Sequence, residues 1–193
     1  MDRQDLFKLI DNFHICEADW KLYQQLFMNG PPRANTLNQL SGPFFAAIHR
    51  CLVEITFVRI SRLTDPWESG HGKNRRKNLT LDALKEENKH SHDMELKHKA
   101  LMKLEAVQQI RTYRNKIYAH TDLDISRLPD PSTELGQVVH HHVATALDYI
   151  RAFLYEYCVA IGLPTPRPHP VPNVDEFLAK FSYGDFPEDA VRY

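Results

Sequence analysis

From Leu6 to Phe27 the large apolar residues stand mostly three or four positions apart: Leu6, Leu9, Ile10, Phe13, Cys16, Trp20, Tyr23 and Phe27. That spacing puts them on one side of a helix, predicted over about Gln4 to Met28, and so long a stripe must be covered by other elements. Asn29-Gly30-Pro31-Pro32 stops it, glycine serving a left-handed cap and proline unable to continue. Three more long patterns follow. A second helix is expected to start after Ser41 or Gly42, with Pro43 in its first turn, and to run to Thr64. Phe44, Cys51, Ile55, Phe57 and Ile60 make it read as a central helix buried on several sides, on which Arg59 and Arg62 need a partner or an outlet to water. A third pattern runs from His92 to Tyr118 or His120, with Leu96, Ala100, Leu101, Leu104, Val107, Ile110, Tyr113 and Ile117 facing inward. A fourth runs from Ser132 or Thr133 to Ile161 and ends at Gly162. With 7 glycines in 193 residues and these amphipathic runs, the chain reads as all-α.

Between the helices, Trp67 to Asn78 reads as a polar loop, and Thr80 as the N-cap of a short helix from Leu81 to about Asn88. Pro164, Pro166, Pro168, Pro170 and Pro172 alternate after the fourth long helix, which enforces an extended strap. Asn173 caps a short helix from Val174 to about Phe181, and Ser182 to Tyr193 form an acidic, aromatic tail. Residues 1–163 are therefore expected to form the helical domain, with 164–193 as a proline-rich extension.

An apolar share of 42% and a charged share of 25% are ordinary for a soluble globular protein. No stretch is apolar and long enough to span a membrane, and Met1 to Asp5 lack a signal-peptide pattern. Cys16, Cys51 and Cys158 are odd in number and each falls on an apolar helical pattern, so all three are expected as buried free thiols. These features point to the cytoplasm. The formal charge of −1 does not advertise nucleic-acid binding, but its distribution is uneven. Lys73 to Lys103 carry nine Lys/Arg against five Asp/Glu, and Val171 to Tyr193 two against five. His140, His141 and His142 point about 100° apart on a helix and cannot converge on one ion. There is no phosphate-cradling glycine loop, no HExxH and no Gly-x-Ser-x-Gly. No metal or cofactor is expected.

The chemistry concentrates in Arg114-Asn115-Lys116-Ile117-Tyr118-Ala119-His120. Arginine is a permanent planar cation that grips phosphate oxygens, and histidine exchanges protons near neutral pH. On an ideal helix, positions 114 and 120 lie about 120° apart around the axis. They can work together only if the helix is distorted there or if His120 lies at its frayed end. From spacing alone, Arg114 also fits an ordinary helix-surface cation, and His120 a residue favoured by the helix dipole.

Arg114, Asn115 and His120 resemble the signature of the HEPN superfamily. With Ile60-Ser61-Arg62-Leu63-Thr64-Asp65-Pro66 and Asn78-Leu79-Thr80-Leu81 in order upstream, the chain resembles the AbiU-type abortive-infection branch over roughly Leu6 to Ile161. The resemblance implies a bundle of long antiparallel helices that usually dimerises. In active members it implies metal-independent RNA cleavage within defence or toxin–antitoxin systems. It makes Arg114 and His120 the catalytic pair and Asn115 a polar orienting residue. Lys116, and Arg75 and Arg76 of the basic loop, are the expected RNA contacts. The expected partners are RNA, a second copy of the chain and an antitoxin protein. A catalytically silent module that binds RNA, a nucleotide or a protein is the alternative.

Overall fold

The stripe on the first helix is buried as its period demands. The computed structural model describes residues 3–70, 72–87, 92–119 and 140–182. In it α1 (Arg3–Phe27) buries Leu6, Leu9, Ile10, Phe13, Cys16, Trp20 and Tyr23. It packs along α2 (Gly30–Thr64), which meets α5 (Glu105–Tyr113), and α5 lies against α6 (His140–Ala160). α3 (Leu81–Glu87) and α4 (His92–Lys103) complete the main core, α4 resting on α6. The molecule is an all-α bundle. Among the described residues its one sheet is the antiparallel pair β1 (Glu68–Ser69) and β2 (Arg76–Lys77), so the expected polar loop is a small hairpin. No helix among these residues is long and apolar enough to cross a membrane.

Several elements depart from the periodic reading. Helix resumes at once at Gly30, whose φ of 77° suits glycine, with the two prolines in the first turn where a missing N–H costs nothing. The expected start after Ser41 survives as a kink inside α2. Ser41 leaves helical geometry (φ −171°, ψ 92°) because Pro43 can neither donate nor fit against the preceding turn. The third long pattern is broken at Leu104, which is extended (φ −60°, ψ 126°). No proline or glycine announces that break. The Gln108 side-chain amide donates to the Met102 carbonyl and satisfies one of the carbonyls it frees. The inward face of α4 is consequently Met94, His98 and Leu101, and the expected Leu96 is 51% exposed. Phe44 and Cys51 are exposed too, since α2 is less enclosed than its composition suggests; only Cys16 and Cys158 are buried thiols. Thr80 caps α3 through its carbonyl, which accepts from Ala83, while its hydroxyl has no partner among the described residues.

α6 ends as predicted. Gly162 has a φ of 73°, its N–H reaches the Val159 carbonyl (3.0 Å), and Leu163 N–H reaches Cys158 (2.8 Å), the paired bonds of a Schellman cap. The prolines then run extended to α7 (Val174–Ser182), which the Asn173 side chain caps by accepting from Asp175 and Glu176 N–H (3.1 and 3.3 Å). Val174 and Leu178 of α7 are buried against Leu26, Leu37 and Phe45 in a second, smaller core. The tail beyond Ser182 lies outside the described residues.

Two polar clusters tie α1 to the bundle. Glu17, 3% exposed, accepts from Arg151 Nε (2.7 Å) and also from its Nη2, while Arg151 Nη1 donates to Asp148 (2.6 Å). Higher on α1, the Tyr23 hydroxyl sits between His49 Nε2 (3.1 Å) and His140 Nε2 (2.8 Å). One hydroxyl proton serves one imidazole as acceptor, so the other ring must donate. Burial, followed by the nearby His140 and Arg50, pushes the His49 imidazole below its usual value, and burial does the same to His14. The unfolded chain therefore takes up these protons first as pH falls. Stability is full above about pH 6.5 and lost below it, toward the folded-state values. The thermal midpoint is expected to fall between pH 7.5 and 5.5, and to fall less in a His14→Gln/His49→Gln protein. An equal fall in both proteins would remove these two groups as the cause.

Candidate functional site

The end of α2 is set by Pro66. A proline bars the residue before it from helical geometry, and Asp65 is accordingly extended (φ −67°, ψ 156°). This places the Asp65 carboxylate against the end of α5. Arg114 donates from Nη2 to Asp65 Oδ1 (2.8 Å) and Oδ2 (3.1 Å), and Arg111, one turn earlier on the same face, brings its Nη2 within 3.6 Å of Oδ1. Tyr113 meets Phe57 edge-on with ring centroids 5.9 Å apart, fixing α5 on α2. All three charged side chains are partly buried, so their attraction is screened less than at a free surface.

From Arg114 to Ala119 the helix widens into a π-turn. Such turns bond each N–H to the carbonyl five residues back instead of four, and change which side chain lies beneath which. The side chains of this stretch are thereby turned away from their α-helical directions. His120 itself lies outside the described residues.

Beside the ion pair opens a cleft of about 640 Å³, walled by Asn12 of α1, Arg62 and Asp65 at the end of α2, Lys77 and Asn78 at the hairpin, and Thr80 before α3. Asp65 belongs to both features and joins them. The hairpin wall is well fixed. Asn78 donates through Nδ2 to the Pro66 carbonyl (2.8 Å), its N–H donates to Trp67 (2.6 Å), and Lys77 Nζ stands 4.5 Å over the Trp67 ring.

Of the described residues expected at the site, Arg114 alone has this partly buried, hydrogen-bonded position. Asn115 and Lys116 are exposed on the π-turn. Arg75 and Arg76 are exposed on the hairpin without lining the cleft, and Arg75 is paired with Glu68. Sequence reasoning placed neither Asp65 nor Arg111 at the site, and saw Lys77 only as one of the basic residues of the polar loop. Asp65 had a signal, since an Asp-Pro helix end directs its side chain at whatever packs there, but the partner is set by tertiary packing. The three consecutive histidines form no metal cluster among the described residues; the ring that meets His49 at Tyr23 is His140.

The model of the HEPN AbiU2 family matches residues 4–127. The chain belongs to that family. No curated protein and no solved structure matches it. The AbiU2 match takes in α1 to the π-turn, and so the Asp65–Arg114 pair, the cleft and all seven residues of the Arg114–His120 signature. The fourth long helix, the strap and α7 lie beyond it.

Proposed function

We propose that this AbiU2-family chain is a metal-independent endoribonuclease that works as a homodimer in the cytoplasm, in phage defence or growth arrest. One observation carries the reading: Arg114 is partly buried and held by Asp65 at the start of a π-turn, beside an open cleft. RNA supplies its own nucleophile. A base removes the 2′-hydroxyl proton, the oxygen attacks the adjacent phosphorus, and the 5′-oxygen leaves with a proton from an acid. The products are a 2′,3′-cyclic phosphate and a 5′-hydroxyl. Arg114 answers the charge that builds on the phosphorane oxygens, and a guanidinium already aimed does so without reorganising. His120 is the base or the acid, and Asn115 and Lys116 orient the strand.

One histidine cannot fill both roles at once, so the second comes from the partner copy. Mixed dimers with one His120→Ala subunit test this: activity near zero is expected, and near-half activity would mean independent sites. Asp65 is a positioning residue that acts through Arg114. Asp65→Ala should lower single-turnover kcat by about 100-fold, the cost of a misplaced group, with Asp65→Asn recovering part of it. Equal activity in the three proteins would separate the pair from the chemistry.

A second reading is favoured by the same ion pair. An arginine whose charge is already met by a carboxylate suits a silent module that holds RNA without cutting it. Tight RNA binding with no cleavage, in the presence of any physiological trigger, would select it.

A further inference from the structure

We infer that the cleft between the end of α2 and the hairpin binds the nucleotide next to the scissile bond, with Arg62 and Lys77 on its phosphate. This rests on the ribonuclease reading of Arg114 and adds a substrate subsite to it. The volume of about 640 Å³ falls in the range that takes a drug-sized ligand and has room for a nucleotide.

The electrostatics favour a polyanion. Arg62 and Lys77 are both exposed along the wall. Asp65 is the only carboxylate lining the cleft among the described residues, and it already faces Arg114 and Arg111. Two cations thus line the cleft, and two more face its one described carboxylate. The position of Lys77 is fixed by the Trp67 ring and by its pairing opposite Glu68 in the hairpin, so less side-chain freedom is lost on binding. Arg62 stands on the last turn of α2, three residues before Asp65. A strand whose reacting phosphate lies on Arg114 therefore brings its neighbouring nucleotide across Asp65 into the cleft. Asn12, exposed on α1, is a polar group of the wall placed to touch sugar or base. Among the described residues no aromatic side chain lines this wall to stack a base, which fits weak sequence preference.

The test is binding of a short single-stranded 2′-O-methyl oligonucleotide, which has no free nucleophile, across a salt series. For single strands each lost phosphate contact lowers the salt slope by about 0.7, which is about a fivefold loss of affinity at 0.1 M salt. Arg62→Ala and Lys77→Ala should each lose about fivefold and the double variant about 25-fold. Lys180→Ala on α7, with the same charge change, should lose little. Equal losses in all of them would mean diffuse attraction and overturn the subsite, as would unchanged binding in the double variant or no binding by the unaltered protein. A nucleoside monophosphate bound as tightly as the oligonucleotide would make this a free-nucleotide site and also overturn it. Cleavage of natural RNA tests the other reading separately. If Arg114→Ala abolishes cutting while the double cleft variant binds and cuts normally, the nuclease stands and the subsite falls. If no RNA is cut but the cleft variants bind weakly, the nuclease falls.

Discussion

Arg114→Ala is expected to lower RNA cleavage by about 100- to 1000-fold, the scale on which removing one preorganised donor from a developing anion acts. The loss should fall on kcat, because the interaction is strongest when charge has accumulated on the phosphorane oxygens. Folding should survive it. Asp65 keeps Arg111 within 3.6 Å, so the substitution does not strand a carboxylate without a cation. Removing the pair should cost about 1 kcal/mol, the usual worth of a partly exposed ion pair. Arg114→Lys should recover little, since an ammonium is a point charge without the planar fork that holds two oxygens. Full activity in Arg114→Ala would remove the residue from the chemistry. Loss of activity accompanied by a collapse in helicity would make its role structural.

Arg151→Ala is expected to give the largest loss of stability. Glu17 is 3% exposed and its Oε1 accepts from two nitrogens of Arg151. Removing the cation leaves a buried carboxylate without the arginine that is hydrogen-bonded to it, a situation that costs about 3–5 kcal/mol. Arg151 is itself partly open to water, which places the effect near the lower end, about 3 kcal/mol. In a chain of this size that corresponds to about 6–12 °C in Tm. Adding Glu17→Gln should restore part of the loss, because an amide needs no counter-charge. A change under about 1 kcal/mol, or a double variant worse than the single, would mean that the Arg151–Glu17 pair does not hold α1 to the bundle.

The helices were legible wherever burial and period agree. On α1 the stripe from Leu6 to Tyr23 is buried, and on α6 so are Val143, Leu147, Ile150, Phe153, Leu154 and Tyr157. Starts and stops written in backbone chemistry were legible too: Gly162, Asn173 and Asp65-Pro66 each act as their residue types dictate. What escaped was decided by packing. The break at Leu104 carries no helix-breaking residue and is held by a side-chain amide four positions later. Gly30 to Leu40 read as a stop followed by a loop, because two prolines that start a helix look the same as two that end one.

The site divides in the same way. The Arg114 signature is local in sequence and could be read there. Its carboxylate partner lies 49 residues upstream and its cleft is built from α1, α2 and the hairpin, so neither was visible before the chain was folded. Helical geometry alone said that positions 114 and 120 meet only through a distorted helix or a frayed end; a π-turn spans Arg114–Ala119, and His120 lies outside the described residues.

The most direct measurement is end-group analysis of RNA incubated with the purified protein in excess chelator, beside Arg114→Ala and His120→Ala proteins of equal helicity. The expected result is cleavage by the unaltered protein alone, leaving 2′,3′-cyclic phosphates and 5′-hydroxyls. Intact RNA in every sample, cleavage that stops when chelator is added, or cleavage that persists in both variants would contradict a metal-free nuclease built on Arg114 and His120.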